Sequence, residues 1–265
     1  MTTPSDLLSL LSGQMADAVE RARTTLVLVN GRARQPASGI VYAPNLVLTA
    51  DHVLERDDDL SIVTDDGRTL QAQLAGRDSV SDLAVLRVAE LGIDPAPQSD
   101  TPARVGQLTL AVGRPSPSGP MASLGIVSAV GGPLRTPRGI VERFIQTDAT
   151  PYPGFSGGPL IDATGAVLGI LTTGLMGGIA LGVPAQAAWK MAATLAQQGH
   201  VKRGFLGISS QPVALNEGQR GLLVVRVERG SPAEQAGLLV GDVLVAMDGH
   251  AISDTDDLQS LLNGD

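Results

Sequence analysis

Cysteine is missing from all 265 residues, which removes any disulfide framework and any thiolate zinc site; a reducing compartment fits, and neither location is excluded. Aromatic residues are almost missing too, at 2% against 43% hydrophobic overall, so the core must be built from Val, Leu, Ile and Ala. A basic excess is lacking: 19 Lys and Arg face 27 Asp and Glu, for a net charge of -8 and a pI near 4.8. That balance argues against nucleic acid or an anionic membrane as partner. No run approaches the ~18 consecutive apolar residues that a membrane span needs. The first residues carry no Lys or Arg before Arg21, and their apolar residues come in pairs instead of the roughly 7–15-residue run of a signal peptide. The sequence as given is therefore expected in the cytoplasm, or in the periplasm or outside the cell if a leader was removed. There is no internal repeat and no low-complexity tract.

What is present changes texture along the chain. Leu8, Leu11, Met15 and Val19 recur at helical spacing over residues 5–22, with Ser5 as the expected N-cap, and this apolar face needs something to dock on. From Thr24 to about Pro184, short runs such as "TLVLVN", "NLVLTA", "LSIV", "LAVLRV", "QLTLAV" and "AVLGILTT" alternate with Gly, Pro, Asp and Asn turns. Many short strands without intervening helices predict an all-β barrel or sandwich. A second helix is predicted over "PAQAAWKMAATLAQQG", opened near Pro184 and ended by Gly199, with Ala188, Met191 and Leu195 on one face. A separate module follows, with strands in "FLGISS", "LLVVRV" and "VLVAMDG" and a closing helix "DTDDLQSLLN".

One serine stands in a run of glycines and prolines, Ser156 in "TPYPGFSGGPLID". The stretch fits the G-x-S-x-G elbow of α/β-hydrolases, a G-x-S-G-G-P loop of chymotrypsin-like proteases, or a glycine-rich turn without chemistry. A serine nucleophile needs an imidazole base, and the base needs a carboxylate to fix its tautomer. Of the three histidines, His200 and His250 fall in the linker and the second module; only His52, at the end of "LVLTADHVL", lies in the β region. Asp82 opens the apolar run "DLAVLRV", where a carboxylate can be partly buried. The order His52, Asp82, Ser156 is that of chymotrypsin-type enzymes, whereas the elbow needs Ser–Asp–His and a βαβ rhythm that is absent. The glycines free the N–H groups of Gly154 and Ser156 to face a developing oxyanion. The bland alternatives are a core histidine at His52 and a strand-start cap at Asp82. Trp189 reads as helix packing, and "ERDDD" as a solvated loop without calcium-ligand spacing. No cofactor and no metal is expected.

With "LVLTADHV", "SDLAVLRV", "LAVGRP", "LGIVSAV", "FIQTDATPYPGFSGGPLID", "GAVLGI" and "HVKRGFLGI" in order over roughly 40–265, the chain resembles the HtrA/Deg family of trypsin-like serine proteases with a C-terminal PDZ domain. The resemblance implies a mainly β fold, two six-stranded chymotrypsin-like barrels followed by a PDZ domain, with the triad at the barrel junction. It implies ATP-independent endoproteolysis of unfolded or damaged proteins, and a homotrimer. From their places in the resembling segments, Thr150, Pro151, Leu171, Thr172, Ala180 and Leu181 are expected to wall an uncharged pocket suited to small or medium aliphatic residues. Two positions depart from the family: Phe155 stands where Asn usually precedes the nucleophile, and Gly113-Arg114-Pro115 where "GNP" is usual.

"FLGI", Phe205, Leu206, Gly207 and Ile208, matches the loop with which PDZ domains hold a peptide's C-terminal carboxylate while the next strand pairs with the peptide. The domain layout expected is a helix over 1–22, the protease over 23–184, a connecting helix and linker over 185–202, and a PDZ module over 203–265. The sequence stops at Asn263-Gly264-Asp265, where the last helix would be capped, so that module is expected to lack a final strand. Two function classes stay open: an active endopeptidase, and a non-catalytic holdase or peptide-binding module whose triad never aligns.

Overall fold

The computed structural model describes residues 4–33, 35–136, 138–201, 204–215 and 218–263. They form two compact units, Met1–Val201 and Lys202–Asp265. The first unit opens with helix α1 (Pro4–Arg23), so Ser5 lies inside the helix instead of capping it. Two closed six-stranded barrels follow, the double β-barrel of chymotrypsin-like proteins.

Barrel one is built from β1 (Leu26–Asn30), β2 (Ala37–Ala43), β3 (Leu46–Ala50), β4 (Leu60–Val63), β5 (Thr69–Asp78) and β6 (Leu83–Val88), ordered β1-β2-β3-β6-β5-β4 around the closure. Its interior is Val27, Val29, Val41, Val47, Leu60, Ile62 and Leu86, small branched side chains that fill a narrow barrel without aromatics. Barrel two takes β7 (Leu108–Gly113) and β8 (Met121–Gly131), then leaves its sheet for a hairpin of β9 (Leu134–Thr136) and β10 (Gly139–Val141). It closes with β11 (Phe144–Thr147), β12 (Pro159–Ile161), β13 (Val167–Thr172) and β14 (Leu181–Pro184), in the order β11-β14-β13-β12-β7-β8.

The apolar face of α1 is shifted from the expected one. Met15, Ala18, Val19 and Ala22 pack into the core, while Leu11 is exposed and Leu8 is 70% exposed. Arg21 donates to Thr164 O at 2.8 Å in the β12–β13 turn, and Arg23 reaches Asp65, so the second half of the helix is the anchored half. Helix α2 (Ala185–Gln198) buries Ala188, Ala192 and Leu195, with Met191 half-buried at the edge. Gly76 lets its C-terminal end come close: a Cβ there would stand 2.4 Å from Leu195 O. Gly199 ends the helix with φ 79° and returns its N–H to Leu195 O at 2.9 Å. Trp189 is packing, edge-on to Tyr42 at 6.1 Å between ring centroids.

The second unit carries a three-stranded sheet, β15 (Ile208–Ala214), β16 (Arg220–Val227) and β17 (Val243–Leu244), and a small ladder of β18 (Ala246–Met247) with β19 (His250–Ala251). The short helix α3 (Pro232–Gln235) is capped by Ser231, whose Oγ accepts from Glu234 N–H at 3.2 Å. Helix α4 (Thr255–Asn263) closes the unit, with Leu258 buried against Leu222 and Ile252. The "VLVAMDG" run splits into two short strands, and the "FLGISS" strand starts only at Ile208. The cap expected at Gly264 and Asp265, and the linker end at Lys202 and Arg203, lie outside the described residues. No helix among the described residues is long and apolar enough to cross a membrane.

Candidate active site

The β3 run "LVLTA" ends in a single 3-10 turn, Asp51–Val53, which swings His52 out of the ladder while Asp51 and Val53 stay buried. Asp82 is fully buried ahead of β6, in the left-handed region at φ 56°, which aspartate tolerates better than most residues. The β3–β6 pairing, Ala50 opposite Leu83, brings the two together. His52 N–H donates to Asp82 Oδ1 at 2.9 Å, and the ring's Nδ1 lies 2.7 Å from Oδ2. An ionised carboxylate only accepts, so Nδ1 carries the proton and Nε2 is left as the acceptor, the tautomer of a general base.

Three further groups serve this pair. Thr172, at the end of β13, donates its hydroxyl to Asp82 Oδ2. Arg138, beside the β9–β10 hairpin, stands with Nη1 3.4 Å from Oδ1. Gly174 passes so close that a Cβ would lie 2.5 Å from His52 Nδ1 and 2.7 Å from Asp82 Oδ2. These three contacts act on the Asp82 carboxylate and on the Nδ1 side of the ring, and none of them reaches Nε2.

Ser156 is buried in the loop before β12. Among the described residues its Oγ has one hydrogen-bond partner, Thr173 Oγ1 at 3.2 Å, and none to His52. The N–H groups of Gly154 and Ser156 donate to no acceptor among the described residues. The intervening turn is closed by Phe155 N–H to Tyr152 O at 3.0 Å and Gly158 N–H to Phe155 O at 2.9 Å. The glycines are demanded by close approach: at Gly157 (φ 86°) a Cβ would meet Ser38 O at 2.1 Å. Phe155, the departure from the family's Asn, is fully buried in the core of barrel two, edge-on to Tyr152 at 5.4 Å. Its ring occupies the space over Gly113, where a Cβ would be 2.5 Å from Cδ1, so Gly113 is required by the buried Phe155 ring.

Of the six residues expected to wall a pocket, Thr150 is exposed and Pro151 half-buried. Leu171 and Ala180 belong to the barrel-two core, and Leu181 to the neighbouring cluster. Thr172 turns its hydroxyl onto Asp82. A cleft of about 530 Å³ lies elsewhere, lined by Gln98, Ala103, Arg143, Leu168 and Gln186 among others, none of them a triad or pocket residue. In the second unit Phe205 is exposed, Leu206 and Ile208 pack on the small core, and Gly207 takes φ 76° with its Cβ space filled by Ser231. Among the described residues there is no His, Cys, Asp and Glu cluster that could hold a metal ion.

Sequence reasoning missed Ser38, Arg138, Gly174 and the role of Thr172. A small polar or glycine residue carries no local pattern; the Thr172–Asp82 bond joins residues 90 positions apart.

A family model for the trypsin-like peptidase domain matches residues 37–170, and one for the PDZ domain matches 223–265. The chain is 35% identical to the serine protease HhoA of Synechocystis sp. over 253 residues, 87% of this chain and 64% of that protein. It is 35% identical to a periplasmic DegP-like serine endoprotease of Rhizobium meliloti over 245 residues, 86% of this chain and 48% of that protein. The chain therefore spans 64% and 48% of the lengths of these two curated relatives. Among solved structures, the HtrA-type protease AlgW with a tripeptide aligns at TM-score 0.71 and 31% identity, covering 94% of this chain and 88% of that one. The serine endoprotease from Yersinia pestis aligns at TM-score 0.74 and 29% identity, covering 94% and 88%.

Proposed function

The chain belongs to the HtrA/Deg family of trypsin-like serine proteases with a PDZ domain, and from that premise we propose that it is an ATP-independent endopeptidase acting on unfolded or damaged polypeptides. The observation that carries this reading is the His52–Asp82 pair at 2.7 Å, its Nδ1 facing the carboxylate, on a fold whose serine loop holds two N–H groups with no acceptor among the described residues. In the proposed reaction Nε2 takes the proton of Ser156 Oγ as the oxygen attacks the scissile carbonyl. The N–H groups of Gly154 and Ser156 receive the oxyanion, and imidazolium returns its proton to the leaving amine. Water then hydrolyses the acyl-enzyme by the same route. The Ser156 hydroxyl rests on Thr173 before this step and turns to His52 Nε2 in it, since catalytic hydrogen bonds such as that from Ser156 to His52 often tighten only with substrate bound.

The PDZ unit is proposed to take C-terminal peptides at Phe205–Ile208, by adding a strand to its sheet. A homotrimer is proposed from the family, and the exposed leucines of α1 are free to serve it; light scattering on the full chain reads this directly. A periplasmic setting, as described for the Rhizobium relative, is the compartment proposed. The test of the activity is labelling by a fluorophosphonate together with casein cleavage. Wild type should label at Ser156 and cut casein, while Ser156→Ala and His52→Ala should do neither and stay folded. A folded wild-type protein that neither labels nor cuts would instead be the non-catalytic holdase.

A further inference from the structure

Arg114 follows β7 where the family usually has Asn, and its guanidinium is buried, with 3% of the side chain exposed. Nη1 donates to Asp65 Oδ1 at 2.6 Å and Nη2 to Pro117 O at 3.5 Å, while Nε has no partner among the described residues. A buried cation persists only with a counter-charge, so Asp65 is what holds this side chain in place. Asp65 sits in the β4–β5 turn of barrel one. Its carboxylate also receives Arg23 Nε of α1, at 2.9 and 2.8 Å to the two oxygens. Burial pulls the Asp65 carboxyl upward, but the bonds from Arg23 and Arg114 outweigh it and hold the group below the usual carboxylate range.

The backbone of the same arginine leads to the serine loop. Arg114 N–H donates to Ser38 Oγ at 2.7 Å, and Ser38 Oγ donates to Gly154 O at 2.7 Å. Ser38 N–H donates to Ser156 O at 3.2 Å, and Thr49 Oγ1 fixes Ser38 O at 2.7 Å. Ser38 therefore grips the carbonyls on either side of Phe155, within the stretch that carries the N–H groups of Gly154 and Ser156, which have no acceptor among the described residues. Pro115, next along from Arg114, fills the space over Gly154: a Cβ there would meet Pro115 Cβ at 2.6 Å. Any displacement of residues 114 and 115 is passed directly to Gly154.

We infer that Asp65 and Arg114 are positioning residues for the proposed reaction, fixing the oxyanion-binding loop through Ser38, and that helix α1 is tied to the same loop through Arg23. This inference rests on the endopeptidase reading. Asp65 anchors Arg114, the anchored backbone orients the Ser38 hydroxyl, and that hydroxyl with its own N–H holds the loop. The effect falls on the transition state, because the oxyanion exists only there; kcat should fall while KM holds.

The test uses the full chain, hydrolysis of an unstructured fluorogenic peptide, and the rate of fluorophosphonate labelling. For Asp65→Asn, kcat is expected to drop about tenfold or more with KM within about twofold, since a 1 Å misplacement costs up to ~10²-fold. Asp65→Glu, which keeps the carboxylate, should recover much of the loss, and Arg23→Gln should lower kcat in the same direction by less. Asp66→Asn, which breaks an exposed pair with Arg68 in the same turn, should leave kcat unchanged. Because Asp65→Asn strands a buried cation and could fail to fold, the double variant Asp65→Asn with Arg114→Met removes that cation as well. A folded double variant with low kcat supports positioning; one with wild-type kcat shows that the pair serves folding only and overturns the inference. Unchanged kcat in Arg23→Gln removes α1 from the set. The proposed activity fails on a separate result, a folded wild-type chain that does not label at Ser156.

Discussion

Replacing Gly174 by alanine is a small change with a calculable consequence. The added methyl carbon would stand 2.5 Å from His52 Nδ1, 2.9 Å from Cγ and 2.7 Å from Asp82 Oδ2. Carbon needs about 3.5 Å or more from such atoms, so roughly 1 Å must be found. Asp82 cannot yield, because it is fully buried and held by His52 N–H and Thr172. The His52 ring is the softer side, being partly exposed, so it swings away and the 2.7 Å Nδ1–Oδ2 bond breaks. Misplacement by 1 Å costs up to ~10²-fold, and loss of the aspartate's orienting function in a serine protease about 10⁴-fold. The expected fall in kcat/KM for peptide hydrolysis is therefore between ~10² and 10⁴. Stability should barely move, since the ring can turn into solvent; strain of about 1 kcal/mol lowers Tm by about 2–4 °C in a unit of this size. Steady-state hydrolysis and a thermal melt on the same preparation decide it. Activity within twofold of wild type would refute the reasoning, because it would mean that the His52–Asp82 contact does not govern the rate.

Three other outcomes follow from the same geometry. Phe155→Ala empties a fully buried site in barrel two and should cost about 3–5 kcal/mol, read as a large drop in Tm by calorimetry. Because the Asp65 carboxyl titrates below its ordinary value, its contribution is fully present above the unfolded value of about 3.9 and is lost as pH falls through the lower folded value. The Tm gap between wild type and Asp65→Asn should accordingly be constant from pH 7 to 5 and shrink below about pH 4. Cleavage sites mapped by mass spectrometry in a denatured protein are expected to follow Ala, Val, Leu or Ile, on the proposal that apolar residues such as Leu171 and Ala180 wall the substrate pocket; a majority of cuts after Lys or Arg would contradict this.

Some strands were legible because their apolar runs are dense and their partners flank them on both sides. Leu60–Val63 and Leu83–Val88 coincide with "LSIV" and "LAVLRV". Others carried no such pattern. Pro159–Ile161 and Leu181–Pro184 are three and four residues long and contain Pro or Gly; each exists because a ladder runs along both its sides. Met121–Gly131 mixes Gly, Ser and Ala and is mostly exposed, so burial left little imprint on it. Helix α1 was legible as a helix, but not in its docking face: propensity and spacing set the helix, whereas the anchors Arg21–Thr164 and Arg23–Asp65 set which turns are covered.

By itself the sequence determined the chemistry available and its order along the chain. One histidine in the β region, an aspartate opening an apolar run and a serine among glycines stand in the order expected of a general base, orienter and nucleophile, because residue identity and chain order are local properties. Tertiary structure decided which small residues complete that arrangement. Thr172 reaches Asp82 across 90 positions, and Ser38 reaches Gly154 across 116. It also decided that Arg114, alone in sequence a basic residue before a proline, is a buried cation facing Asp65 49 positions away. Contacts of that kind depend on barrel closure and strand register. Register is fixed by the sum of many apolar pairings along the strands, and no single one of these polar residues bears its mark.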